Sequence, residues 1–437
     1  MADSAYESIL SAISSMPVID CHEHMEGPPK SPDGGPAEPM EPIASLVQGY
    51  VASDLISAAW GVPEDDVYLL QDSSVSTDEK WPLFSKLWEA VKHTAYGHVT
   101  RHIIKRRYGA WDIDRGLLDR IAAEAPARTE EAYFAELRDA GIEIVLTDVL
   151  GWNDGGMKQF ARGKTSFPAM FKPLISLPGF HPTIFTASTI DGIGEIFDVS
   201  ISTLDRFLEA VFEVLTKAKQ AGAVGIKDQS AYSRSLDYQL ASSADAERLF
   251  NQARSDPRAA VGWPQGKPLS DFLFHRYMDF AAELDLPVQL HTGHMAGIRS
   301  RVSEVNAAAL RTVLETHRDV RFDLFHGNWP YLGDYLFLAK NYPNVALDLC
   351  WVHIIDPAYS VELLERAAKV VPHTKIHTFG GDYFDVPEYA VAHLEIAQAN
   401  TARALSNLVN EGWMSRDDAV GVAHGWFYDN PKRFFDL

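Results

Sequence analysis

Short apolar runs recur along the chain, and most are followed by an amphipathic segment of helical length. A continuous apolar run bounded by turn residues suits a strand buried on both faces, and apolar positions recurring every three to four residues suit a helix laid on a core. The runs fall at 17–24 (PVIDCHEH), 143–150 (EIVLTDVL), 171–177, 222–228 (GAVGIKD), 287–292 (PVQLHT), 321–326 (RFDLFH), 345–351 (VALDLCW) and 376–382 (IHTFGGD). Helical periods fill 204–222, 270–284, 303–317 and 360–371. Eight strands alternating with helices predict an α/β fold, a single (β/α)8 TIM barrel domain spanning 1–437. A doubly wound sheet is the rival topology, because pattern alone does not show closure.

The even spacing breaks once. Between His24 and Glu143 lie 118 residues, far more than a βα loop needs. This stretch opens with the irregular, Pro/Gly-rich GPPKSPDGGPAEPMEP and turns helical from 43 to 120, with Trp60, Trp81, Trp88 and the basic run RHIIKRR at 101–107. Residues 28–140 are therefore read as a mostly helical insertion after the first strand, placed to return as a cap over the C-terminal face. The RHIIKRR run is read as a solvated helix face. The segment from Tyr389 to Leu437 is helical in pattern and is expected to supply the last barrel helix and a closing helix.

Apolar residues make up 46% of the chain, which excludes disordered and fibrous classes. Lys and Arg number 39 against 60 Asp and Glu, a net charge of −21. That balance argues against nucleic acid or an anionic membrane as partner, and leaves a small-molecule substrate, acidic ones included where local arginines serve it. The two cysteines, Cys21 and Cys350, make neither a disulfide framework nor a thiolate zinc site. The N-terminus has no basic n-region and no 18-residue apolar stretch occurs, so a soluble cytoplasmic protein is expected.

Candidate chemistry sits at the strand ends. His22 and His24 are two residues apart, and alternate strand residues face the same way, so both imidazoles can converge on one ion. His291, His326 and Asp382 end the strand candidates at 287–292, 321–326 and 376–382, the barrel face where active sites assemble. Of the other histidines, His93, His98, His102, His181, His275, His317, His373 and His424 fall on helical or irregular segments and read as ordinary. His353, after the seventh strand, stays open.

With these residues in place the chain resembles the amidohydrolase superfamily, in its amidohydrolase-related branch that includes uronate isomerases and metal-dependent decarboxylases. The resemblance rests on CHEH at 21–24, LHTGH at 290–294, LFHGNWPY at 324–331, NYPNVALDLCW at 341–351 and GGDYF at 380–384. It implies a barrel binding one or two divalent ions, with His22, His24, His291 and Asp382 around the metal and His326 beside it as a catalytic group. One ion is expected, zinc first, then manganese or iron. A carboxylated Lys227 at the fourth strand end would bridge a second ion; unmodified, it would have a lowered pKa beside the metal and take part in proton transfer. A homo-oligomer is also expected from the resemblance.

Arg299 and Arg301 precede an expected helix N-cap at Ser303, where positive charge is unfavourable and asks for a partner. A substrate carboxylate or phosphate would serve, as would a solvated or salt-bridged pairing. Trp329 and Trp351 are candidate apolar walls of the substrate pocket, or plain packing. The first functional expectation is metal-dependent hydrolysis, with a metal-activated water, Asp382 as general base and His326 polarising the carbonyl. The second keeps the metal but isomerises or decarboxylates, as uronate isomerases and the decarboxylases do. The third is an inactive barrel serving as a binding module. The loops at 151–172 and 352–360, which would choose the substrate, carry no pattern that translates into a ligand.

Overall fold

The computed structural model describes residues 4–28, 39–124, 129–149, 157–164, 166–177, 180–182, 184–256, 258–384 and 386–437. Most of the Pro/Gly-rich stretch and part of the 151–172 loop lie outside these residues. Every expected strand is present: β1 (Val18–Glu23), β2 (Ile142–Asp148), β3 (Phe171–Ser176), β4 (Gly225–Asp228), β5 (Val288–Leu290), β6 (Phe322–Leu324), β7 (Val345–Asp348) and β8 (Ile376–His377). They pair in parallel and in sequence order. The sheet closes beyond the short β8, where Cys21 N–H donates to Phe379 O at 3.0 Å and Asp382 N–H to His22 O at 2.9 Å. The doubly wound alternative is thereby removed.

The helices follow the apolar period that predicted them. In Leu204–Ala221 the buried residues Leu204, Phe207, Val211, Val214, Leu215 and Ala218 form one stripe. Thr203 caps its start and Gly222, at φ 111°, ends it in the left-handed region that glycine adopts without a Cβ penalty. Pro387–Asn410 lies against the N-terminal helix Ser4–Ile13, and the chain closes with Arg416–His424 and Asn430–Phe434. Phe435 plugs the barrel floor against Leu146 and Leu174.

The segment 303–317 differs from its prediction. It forms two 3-10 turns, Val302–Glu304 and Ala307–Leu310, before a short helix Arg311–Thr316, and the capping side chain is Asn306, not Ser303. Asn306 accepts from Ala308 N–H while donating to Asp334, which ties the turn to the next helix.

The insertion is helical where described, from Pro42–Leu46 through Glu130–Asp139. Phe84, Leu87, Trp88, Val91 and Ile104 are buried within it, whereas Trp60 is 98% exposed. The basic run has an exposed face at Lys105, Arg106 and Arg107, as expected, and parts of it are also paired. Arg106 pairs with Glu395 at 2.8 Å, Arg107 with Glu388 at 2.8 Å, and His102 with Glu395 at 3.1 Å, all onto the helix Pro387–Asn410. Among the described residues no helix is long and apolar enough to cross a membrane.

Candidate metal centre

β1 delivers both of its histidines to the barrel mouth. His22 is fully buried, and its Nδ1 faces Gln289 Oε1 at 3.2 Å; His24 Nδ1 faces the Asp148 carbonyl at 2.8 Å. An imidazole that spends its proton at Nδ1 presents a lone pair at Nε2. Both Nε2 atoms face Asp382 Oδ1, at 3.5 Å from His22 and 3.2 Å from His24. In a tetrahedral site with metal bonds of about 2.0–2.1 Å, ligand atoms stand about 3.3–3.4 Å apart. The donor spacing therefore fits a divalent ion. Without an ion, burial pushes the Asp382 carboxyl up, but a proton on His24 Nε2 hydrogen-bonds it and, with the charge of the surrounding imidazoles, holds the group well below the usual carboxylate range. Burial works against that proton, yet Asp382 raises the His24 pKa, and a metal ion would take the proton's place.

His291 and His326 form a second donor pair. His291 Nε2 donates to the His294 carbonyl at 2.8 Å and His326 Nδ1 to the Cys350 carbonyl at 3.0 Å. The remaining atoms, His291 Nδ1 and His326 Nε2, face each other at 3.2 Å. Each has spent its proton on a carbonyl, so two lone pairs meet, an arrangement that a cation between them relieves. Burial pulls His326 down to about 3, so its Nε2 is an acceptor rather than the donor that polarising a carbonyl needs. Lys227 Nζ lies 3.5 Å from His22 Nε2 and 3.6 Å above the Phe325 ring, and burial lowers its pKa.

Three of these positions are conformationally strained. His326, Trp351 and Asp382 adopt φ of 59°, 65° and 63°, each in the loop that follows its strand. Left-handed backbone in non-glycine residues costs about 1–3 kcal/mol each and collects at functional sites.

His22, His24, His291, His326, Asp382 and Lys227 thus meet at one end of the barrel. Trp351 joins them, its ring 5.2 Å from His326, 5.0 Å from His294 and 4.3 Å from Tyr50 of the insertion. Trp329 stands 5.4 Å from His294 and donates to Asp356. The two arginines find partners within the protein. Exposed Arg299 bonds Glu64 of the insertion, while Arg301 pairs with Glu304 at 3.1 Å. His353 is structural, fully buried with Nε2 on the Thr378 carbonyl at 2.8 Å.

Sequence reasoning missed several neighbours. Asp148 ends β2 and groups with His22 and His24 as a possible ligand set, and Cys350 does so with His326 and Asp382. Asp148 obeys the same strand-end rule that exposed Asp382, so its signal was present. His294 sits on the loop within the LHTGH motif, where no role was read for it, and Tyr50, whose hydroxyl bonds the Asp382 carbonyl, sits on a loop that carried no signal.

A closed parallel barrel with imidazoles and carboxylates converging at its C-terminal strand ends is the architecture of amidohydrolase-type enzymes. The amidohydrolase family model matches residues 208–437, more than half of the chain, and the chain belongs to that family. Protein fluG of Emericella nidulans is 28% identical over 223 residues, 49% of this chain; the chain spans only 26% of that relative's length. Uronate isomerase from Thermotoga maritima overlays 99% of this chain and 97% of its own, with TM-score 0.76 and 16% identity. Glucuronate isomerase from Caulobacter crescentus overlays 99% and 94%, with TM-score 0.76 and 16% identity. A Lactobacillus casei protein provisionally named a metal-dependent hydrolase overlays 98% and 97%, with TM-score 0.63 and 17% identity. At such identities these likenesses establish the fold.

Proposed function

We propose that the chain is a metal-dependent enzyme acting on a small molecule, with hydrolysis as its first reaction class. The observation that carries this reading is the pair of Nε2 atoms, on His22 and His24, facing one oxygen of Asp382 at the spacing of metal ligands. A bound divalent ion, zinc by the character of the donors, supplies a water acidified toward neutrality and a Lewis acid for a substrate oxygen. Asp382 would hold the proton taken from an attacking water and pass it to the leaving group. His326, neutral and with Nε2 free to accept, serves as a ligand or proton acceptor beside His291. Trp351, Trp329 and Tyr50 form the aromatic wall that limits water at the reacting atoms.

Aldose–ketose isomerisation is the second reading. Its support is the overlay of nearly the whole chain, insertion included, on two sugar-acid isomerases. In that case Asp382 moves a proton at carbon, and the acidic end of the substrate needs a cation, which Lys227 or a freed Arg299 provides. The facing His291 and His326 acceptors leave one ion or two as a question for stoichiometry.

Two measurements test this. Zinc is counted per chain before and after chelation, and products are followed in 18O-labelled water with gas analysis. Label uptake supports hydrolysis, mass-neutral conversion supports isomerisation, and carbon dioxide release supports decarboxylation. A chain that binds no divalent metal refutes the whole reading.

A further inference from the structure

Glu23 stands between the two strand-end histidines, fully buried, and has no part in the chemistry above. Its surroundings give it a different task.

Asp382 is carried by a segment with little regular structure. β8 is only two residues long, and Asp382 follows it in a left-handed conformation. β1 laces it at several points, beside Trp351 N–H, which donates to Gly380 O at 3.0 Å, and the Tyr50 hydroxyl on the Asp382 carbonyl. Cys21 N–H donates to Phe379 O at 3.0 Å, Asp382 N–H to His22 O at 2.9 Å and His24 N–H to Tyr383 O at 2.8 Å. Two carboxylates complete the lacing: Asp20 Oδ1 accepts from Gly381 N–H at 3.1 Å, and Glu23 Oε2 accepts from Tyr383 N–H. Both neighbours of Asp382 are thus gripped by side chains of the strand that delivers His22 and His24. A Cβ at residue 381 would overlap Glu23 Oε1, so the Glu23 carboxyl closes directly against the glycine backbone.

We infer that Glu23 is a positioning residue: by holding the Tyr383 amide and closing against Gly381, it sets the Asp382 carboxylate at ligand spacing from His22 and His24. This rests on the metal reading above. Groups that orient metal ligands change metal affinity by about 10–100-fold when removed. What matters here is reach, since the carboxylate must span to the Tyr383 amide.

The test compares Glu23→Asp and Glu23→Gln with the native chain. Zinc affinity is measured by competition with a chromophoric chelator, and a thermal melt of each metal-free protein reports folding. Glu23→Asp keeps the carboxyl group but is one methylene too short; it is expected to weaken zinc binding about 10–100-fold. Glu23→Gln keeps the reach and an acceptor oxygen, and is expected to bind zinc as the native chain does. The reverse pattern, or equal affinity in all three, overturns the inference. Gly381→Ala leaves Glu23 in place but displaces its carboxylate, so native affinity in that variant overturns it as well. Absence of zinc binding in the native chain removes the metal reading itself, which is a separate and distinguishable failure.

Discussion

The loops after β5 and β6 touch at Gly293, and that contact gives a quantitative test of how the centre is assembled. Gly293 has φ 71°, and a Cβ built on it would lie 2.6 Å from Trp329 N, 2.7 Å from the Asn328 carbonyl carbon and 2.7 Å from Trp329 O. All three are backbone atoms and none can rotate away. Gly293→Ala therefore incurs left-handed strain of about 1–2 kcal/mol and overpacking of about 1–3 kcal/mol, together about 2–5 kcal/mol. Gly109, at φ 63° beyond the helix Ala95–Tyr108, has nothing within 4 Å of such a Cβ. Gly109→Ala should cost only the strain, about 1–2 kcal/mol. Urea unfolding of both variants, compared at equal m-value, isolates the close approach as the difference between them. Separating the loops also moves His326 from His291, now 3.2 Å apart, so zinc content should fall in Gly293→Ala and not in Gly109→Ala. Equal destabilisation of the two variants, with equal zinc content, would refute the reasoning.

Other predictions follow from the same geometry. Asp382→Asn keeps the side-chain shape but cannot take a proton, so turnover should fall by roughly 10²–10⁴ while much of the zinc stays; native turnover would remove Asp382 as the base. Burial pulls His181 down to about 3 and His353 to about 4, whereas unfolded imidazole titrates near 6.5. The unfolded chain thus binds more protons below that value, so this stability is fully present above about pH 6.5 and is lost as pH falls toward 4. A urea midpoint that does not drop between about pH 7 and pH 5 would contradict it. Arg107→Ala breaks ion pairs to Glu388 and Glu136 that are partly exposed, and should cost no more than about 1 kcal/mol in the same unfolding assay. A loss of several kcal/mol would show that this contact holds the insertion to the barrel.

Much of this protein was legible residue by residue. Burial on both faces makes a barrel strand read as a continuous apolar run, which located all eight strands. The C-terminal ends of those runs exposed His22, His24, His291, His326 and Asp382 as one set, because a parallel barrel brings such ends together whatever their separation in sequence. Helical period likewise placed Leu204–Ala221 to within a residue. What the pattern did not contain was direction. Which nitrogen of each imidazole keeps its lone pair depends on a carbonyl or amide donated by another strand: Gln289 for His22, Asp148 for His24, Cys350 for His326. The partner of Arg299 is Glu64, 235 positions away, and the basic run at 101–107 meets its acids on the last long helix. Sequence periodicity reports whether a side chain is buried, a property of its own strand or helix. Hydrogen-bond and ion-pair partners are set by the closure of the barrel and the path of the insertion, and only the tertiary structure contains them.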